Sequence, residues 1–383
     1  MYSLRPRNYL DYYSSFFGGN MLLRKLYVLV IATVFMISCS DDEASFSLLP
    51  DSDSFQQTTS SFNNKLDILF VIDDSGSMSP YQTNLSNNFS AFISDFITKG
   101  YDFRIAVITS SAWEADFYGG ASSQNRARFR SSSGQSILDP DTLNIETAFA
   151  QNISAGTSGN GDERPLQSIQ VALEHSYNSS YGFPRSDAYL AVIVVTDEDD
   201  YSNSTSTCLQ PNPSGGCNNN SYSPAWTHPS MIGYQISDYK TYLQNLTNSE
   251  ADAPRFNVST IAVLDSACKN AAATHVAAMI GTRMKDMVSQ TDGVQGSICD
   301  TNFSASLNLI QQQIGELSTQ FKLSREPIPS TIRVVVNGSS VPNSTSNGWS
   351  YIASSNSVRF YGASVPAEGD AISINFDPAT LGN

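Results

Sequence analysis

The chain has 383 residues, enough for one large domain and a smaller companion. Asp and Glu number 36 against 21 Lys and Arg, a formal net charge of −15. That balance speaks against nucleic acid as a partner, because phosphate binding needs clustered positive charge; it suits metal binding, basic partners or plain solubility.

The first stretch reads as targeting. Arg24 and Lys25 precede an apolar run from Leu26 to Ile37, which is too short for a typical membrane-spanning helix. Met36-Ile37-Ser38-Cys39 follows, a small residue and then a Cys, and this resembles the bacterial lipobox. The resemblance implies that residues 1–39 are a lipoprotein signal and that Cys39 is the lipidated first residue of the mature protein. It also implies an outer-membrane location, since Ser40 rather than Asp follows the Cys. Met21-Leu-Leu-Arg-Lys makes a more compact start than Met1. Residues 40–64, rich in Ser, Asp, Gln and Asn, read as a flexible tether.

From Asp67 the pattern becomes alternating strand and helix. Leu69, Phe70, Val71 and Ile72 form a short apolar run, as in a strand covered on both faces. The chain then turns polar at Asp73-Asp74-Ser75-Gly76-Ser77. Asp73, Ser75 and Ser77 place one carboxylate and two hydroxyls at alternate positions, hard oxygen donors suited to a small hard cation. The loop sits at the carboxyl end of a predicted parallel strand, where open α/β sheets bind ligands. Phe89, Phe92, Ile93, Phe96 and Ile97 recur at helical spacing, Gly100 ends that helix, and Phe103–Thr109 is a second strand.

Strand, Asp-x-Ser-Gly-Ser-Met and helix together resemble the metal-ion-dependent adhesion site of von Willebrand factor A domains. The resemblance implies a doubly wound, mostly parallel α/β sheet flanked by helices over residues 65–323. It implies a bound Mg²⁺, or Mn²⁺ or Ca²⁺ in its place. It also implies a Thr in the loop before a later helix as the next ligand and an acidic residue after a later strand as the last.

Residues 110–160 read as polar and irregular, with Trp113 and Phe117 capping the sheet edge and Arg126, Arg128 and Arg130 on a solvated face. Gly156–Gly161 leads to Asp162-Glu163-Arg164-Pro165, where Pro165 and the two acids suit a helix start, and Leu166, Ile169, Ala172 and Leu173 form an apolar stripe. Thr157 is the nearest match to the family's middle ligand, although its distance from the helix is longer than usual; Ser158 and Glu163 are the alternatives. Ala188–Thr196 is a strongly apolar strand that runs into Asp197-Glu198-Asp199-Asp200. Asp197 stands where the family has its last acidic ligand. A four-acid run repels itself unless something neutralises it, and Asp199 with Asp200 is a candidate for a second cation such as Ca²⁺.

Residues 201–229 read as an insertion near the metal face, with Tyr222 and Trp226 as contact aromatics. Besides Cys39 the chain has Cys208, Cys217, Cys268 and Cys299, an even number that suggests two disulfides in an exported protein. Closeness in sequence favours Cys208–Cys217, stapling the insertion, and Cys268–Cys299. A helix over 232–246, a strand over 256–264, a helix over 279–289, a short strand over 294–298 and a last helix over 303–321 complete the alternation. After Glu326-Pro327-Ile328-Pro329 the pattern changes to short strands, with Asn337-Gly338 marking a tight hairpin. Residues 327–383 therefore read as a small all-β, sandwich-like module. It resembles the β-modules that end some bacterial von Willebrand-type lipoproteins.

His175, His228 and His275 are the only histidines, and no nucleophile elbow, zinc-protease, Walker or dinucleotide motif is present. The expectation is a non-enzymatic, lipid-anchored envelope protein. The resemblance to von Willebrand factor A domains implies a cation with one position left open for the Asp or Glu carboxylate of a protein partner. The alternatives are a structural or secretion-accessory lipoprotein in which the ion only stabilises the fold, and an exported hydrolase.

Overall fold

The structure, a computed structural model, describes residues 55–57, 65–117, 120–203, 235–249, 254–271, 278–367 and 369–379. The expected signal with Cys39, and Cys208, Cys217, Tyr222, Trp226, His228 and His275, lie outside the described residues. A short strand, β1 (Phe55–Gln57), comes first and joins a sheet at the far end of the chain. It falls within 40–64, so part of the stretch read as a tether is a paired strand.

The central sheet contains β2 (Lys65–Ile72), β3 (Asp102–Thr109), β4 (Tyr189–Val195), β5 (Phe256–Ala262) and β6 (Gln295–Ser297). Their order is β3-β2-β4-β5-β6 and every pairing is parallel. β2 leaves towards β3 on one side, and the chain returns to β4 on the other. The connections therefore diverge at β2, which creates the crevice where such sheets hold ligands. In register, Ile72 pairs with Thr109 and Val195, so the loops after β2, β3 and β4 emerge together.

The period-two alternation of β2 feeds two cores. Leu66, Ile68, Phe70 and Ile72 face helices α1 (Ser79–Thr98), α4 (Ile145–Ile153) and α9 (Ser304–Ser318). Leu69 and Val71 face α5 (Pro165–Glu174), α6 (Ile236–Leu246) and α8 (Thr282–Gln290). The result is a three-layer α/β/α domain, as the apolar runs on covered strands require. Burial of aromatics holds the first face. Phe89 stacks on Phe149 at 3.6 Å between centroids, and Phe70 meets Phe149 edge-on at 4.9 Å. Such pairs add about 0.5–1.5 kcal/mol each beyond area burial.

The stretch 110–160 is more ordered than its composition predicts. It contains the single-turn helices α2 (Glu114–Phe117) and α3 (Ala121–Asn125) as well as α4, whose Ile145, Ala148, Phe149 and Ile153 share one buried side. Trp113 and Phe117 do not cap the sheet edge. They form a small cluster of their own with Ala115, Ala127 and Val171. The basic run is engaged with neighbouring groups, with Arg128 exposed and Arg126 and Arg130 half-buried. Arg126 pairs with Glu114 at 2.7 Å and Asp74 at 3.5 Å, Arg128 lies over Tyr177, and Arg130 donates to the carbonyls of Asn152 and Ser154. Between β5 and α8 lies α7 (Ser266–Ala271), and its Cys268 is joined to Cys299 by a disulfide.

β7 (Gln320–Lys322) follows α9 directly and already belongs to the C-terminal β module. That module has two antiparallel sheets. One is β7-β11-β10, with β10 (Gly348–Ile352) and β11 (Ser357–Tyr361). The other is β1-β12-β8-β9, with β8 (Arg333–Val336), β9 (Ser339–Val341) and β12 (Ile372–Asn375). Phe321, Trp349, Val358 and Phe360 from the first sheet share one core with Val334, Ile372 and Ile374 from the second. Asn337 and Gly338 both have positive φ, 50° and 78°, as the two-residue β8–β9 turn requires.

Candidate metal centre

Three loops converge at the carboxyl ends of β2 and β4. Asp73 follows β2, Asp197 stands two residues past β4, and Glu163 precedes α5. Each offers one carboxylate oxygen, and these oxygens lie within 4.8 Å of one another. All three residues have zero exposure.

The backbone fixes Asp73 first. Its N–H donates to the Val195 carbonyl at 3.0 Å, extending the sheet by one bond. Its carboxylate accepts the Ser75 N–H at 2.8 Å on Oδ1 and the Thr196 hydroxyl at 2.8 Å on Oδ2. Thr196 has one proton to give, and its oxygen in turn accepts the Glu198 N–H at 3.1 Å. Ser75 Oγ and Ser77 Oγ are 3.2 Å apart. The two hydroxyls that alternate with Asp73 in sequence are thus neighbours in space.

The loop before α5 is locked to the Asp73 loop from below. Gln82 of α1 donates through Nε2 to the carbonyls of both Asp73 and Gly156, each at 2.9 Å. The Gly159 N–H donates to the Asp74 carbonyl at 2.7 Å. A Cβ on Gly159 would come within 2.3 Å of the Asp74 carboxyl, so only glycine allows this approach. Asp74 itself turns away from the cluster. It accepts the Ser111 hydroxyl at 2.7 Å and pairs with Arg126.

Glu163 is aimed by its neighbours on both sides. Arg164 pairs with Asp162 at 2.5 Å, and its guanidinium, fully buried, lies 4.0 Å over the Trp113 ring. The Glu163 carbonyl accepts the Tyr201 N–H at 2.9 Å. Its side chain reaches the acidic cluster, where Oε2 is 3.4 Å from the Thr196 hydroxyl and Oε1 has no hydrogen-bond partner. Thr157 and Ser158 are exposed on the rim, next to Gly156, and Gly76 and half-buried Ser77 are also at the rim. Thr157, Ser158 and Glu163 were the alternatives for a middle ligand, and Glu163 is the one inside the carboxylate cluster.

Burial raises the Asp73 carboxyl to about 7, with the charge of Asp197 adding to the effect, against hydrogen bonds from Ser75, Glu163 and Thr196. Burial likewise pushes Glu163 well above the ordinary carboxylate range, reinforced by Asp73, Glu198 and Asp197. Asp73 and Glu163 therefore keep their protons to higher pH than ordinary carboxyls, and a bound cation would offset that repulsion. A hard divalent cation fits these residues: three carboxylates, two adjacent hydroxyls, and one buried oxygen with no protein partner.

Asp199 and Asp200, the candidates for a second cation, have both carboxylates occupied by protein groups. Asp199 caps α8, accepting the N–H groups of Arg283 at 2.9 Å and Met284 at 3.4 Å. Asp200 pairs with the Arg283 guanidinium at 2.9 Å and accepts the Leu166 N–H and the Ser202 hydroxyl. Sequence reasoning missed Thr196, Gln82, Ser111 and Arg164 as supports of the site. Thr196 carried a usable signal, a hydroxyl at the strand end beside Asp197. The others are placed by tertiary contacts alone.

The fold and the cluster define a parallel α/β domain with three buried carboxylates gathered at its switch point. No family model matches the chain, and no curated protein matches it. Among solved structures, the chain is similar to proximal thread matrix protein 1 from the mussel byssus, at 11% identity over 69% of this chain and 50% of that one, with a TM-score of 0.34. The pilus adhesin SpaC from Lactobacillus rhamnosus GG is matched at 11% identity over 82% of this chain and 39% of that one, with a TM-score of 0.35. Three N-terminal domains of the type V pili tip protein Mfa5 from Porphyromonas gingivalis are matched at 13% identity over 81% and 61%, with a TM-score of 0.32. This chain thus spans about half the length of the first of these proteins. Likeness at this level leaves the site to stand on its own residues.

Proposed function

We propose that this chain is a cell-envelope protein that binds other proteins through a divalent cation. Asp73, Glu163 and Asp197 would supply the carboxylates and Ser75 and Ser77 the hydroxyls, directly or through water, with Thr157 at the rim. The observation that carries this reading is the convergence of three fully buried carboxylates at the carboxyl ends of β2 and β4. A cation bound there would offset their mutual repulsion. The exposed rim at Gly76, Thr157 and Ser158 leaves an approach for an outside ligand. That ligand would be an oxygen donor from a protein partner, an Asp or Glu carboxylate being the class the family resemblance implies. A lipid on Cys39 would hold the protein at the outer membrane.

Two measurements test this. Mg²⁺ or Ca²⁺ should raise the thermal midpoint of the full-length protein, and Asp73→Ala should abolish the rise. Undiminished stabilisation in that variant would sink the metal assignment. Proteins retained from an envelope extract by the immobilised chain should be released by EDTA. Retention indifferent to EDTA would leave the ion a structural role only.

A further inference from the structure

Asp73 comes from the Asp-x-Ser-x-Ser loop and Asp197 from the end of β4, and Glu163 adds a third carboxylate that alters the chemistry of the centre. We propose that Glu163 tunes this centre to bind calcium in preference to magnesium, an inference that rests on the metal-binding reading above. Magnesium demands near-ideal octahedral geometry, sheds water reluctantly and is normally held by one or two carboxylates with several waters kept. Calcium accepts six to eight oxygens in flexible geometry and readily takes several carboxylates, mono- or bidentate.

Three observations favour calcium. First, the donor set is large: three carboxylates, with the Ser75 and Ser77 hydroxyls 3.2 Å apart alongside. Secondly, the three carboxylates are closed off from bulk solvent. Asp73, Glu163 and Asp197 all have zero exposure, so an ion that binds them must give up most of its water. Thirdly, the extra carboxylate is built in. Glu163 Oε1 is buried and has no hydrogen-bond partner, while the residues on either side of it are fixed by the Asp162–Arg164 pair and the stack of Arg164 on Trp113. A fully buried acid held in that position, its carboxyl set against Asp73 and Thr196 and its Oε1 making no hydrogen bond, suits direct ligation of an ion.

The test is titration of the full-length protein with Ca²⁺ and with Mg²⁺ by calorimetry, repeated for Glu163→Gln and Asp73→Asn. The wild type should bind Ca²⁺ at least about tenfold more tightly than Mg²⁺. Glu163→Gln should weaken Ca²⁺ about tenfold or more while changing Mg²⁺ by less than about threefold, so that the preference collapses. Thermal unfolding in EDTA checks that this variant is folded, and its midpoint should equal or exceed the wild type's because a buried acid has gone. Should Glu163→Gln not fold, Glu163→Asp keeps the charge, withdraws it by one methylene, and should also reduce the preference. A wild type that binds Mg²⁺ as tightly as Ca²⁺ overturns the inference, as does a variant that keeps the wild-type ratio. Loss of binding in Asp73→Asn with an unchanged ratio in Glu163→Gln overturns this inference alone. Undiminished binding in both variants overturns the centre itself.

Discussion

Replacing Asp73 by Asn probes the electrostatics of the centre in EDTA. Burial, and then the charge of Asp197, lift the Asp73 carboxyl from 3.8 to about 7. In the unfolded chain the group ionises near 3.8; in the fold it keeps its proton until about 7. The folded state therefore holds the extra proton between those values, and stability falls as pH rises through that window. The penalty is absent below the unfolded value, grows with pH, and levels off above the folded value. At about pH 7.5 it amounts to about 4 kcal/mol, and at about pH 5 to less than half of that. Asn removes the ionisation, but one of its two positions is now an NH₂, so the acceptor that took the Thr196 hydroxyl at 2.8 Å is lost. That loss costs about 1–2 kcal/mol. Asp73→Asn should thus be about 2 kcal/mol more stable than the wild type at about pH 7.5 in EDTA, and close to it at about pH 5. Urea denaturation at the two pH values measures this. A variant whose stability tracks the wild type's across the window, or that is weaker at the higher pH, would refute the reasoning.

Two further substitutions test the scaffold of the site. Gly159→Ala would set a Cβ 2.3 Å from the Asp74 carboxyl and 2.7 Å from its carbonyl oxygen, forcing apart the loops that carry Asp73 and Glu163. It should cost about 1–3 kcal/mol and weaken cation binding, and an unchanged thermal midpoint with intact binding would contradict the packing described. Arg164→Met keeps much of the side chain's bulk over Trp113 but strands Asp162, buried, without its partner at 2.5 Å. A loss of about 3–5 kcal/mol in chemical denaturation is expected; a loss below about 1 kcal/mol would show that the pair is not the clamp it looks to be.

The parts of this design that were readable in the sequence are those written locally. The apolar run of β2 and the abrupt acidic loop after it lie side by side in the chain, so strand, loop and helix followed from a short window. The same holds for β4 and Asp197, and for the Asn337-Gly338 hairpin. What was not readable is set by encounters between distant segments. Whether Thr157 or Glu163 reaches the cluster depends on how the loop before α5 folds, and that is decided by Gly159 against Asp74 and by Arg164 on Trp113. The run Asp197–Asp200 looked like one acidic patch. The fold divides it, turning Asp197 to the cluster and giving Asp199 and Asp200 to α8 and Arg283. The helix α4 was readable in principle, from apolar residues at helical spacing, but its surroundings are polar. Its stability comes from Phe149 stacking on Phe89, a contact no local pattern announces.

Glu163 also bears on what an outer ligand can be. Two ionised carboxylates neutralise a divalent cation; the third leaves the loaded cluster of Asp73, Glu163 and Asp197 one charge negative by count. Buried Glu198 adds to the same field at Glu163. An ion held by one or two acids still attracts a partner's carboxylate strongly, whereas an ion already over-neutralised among buried acids attracts it less. The outer donor that suits a three-carboxylate centre is an uncharged oxygen, such as an amide or backbone carbonyl or a hydroxyl. The partner chemistry implied by the Asp-x-Ser-x-Ser loop therefore turns on a residue far from that loop in sequence. Proteins released by EDTA from the wild-type chain should then make contact through neutral oxygens, and acidic partners should prefer the Glu163→Gln chain. Stronger capture of acidic partners by the wild type would mean that Glu163 keeps its proton beside the bound ion.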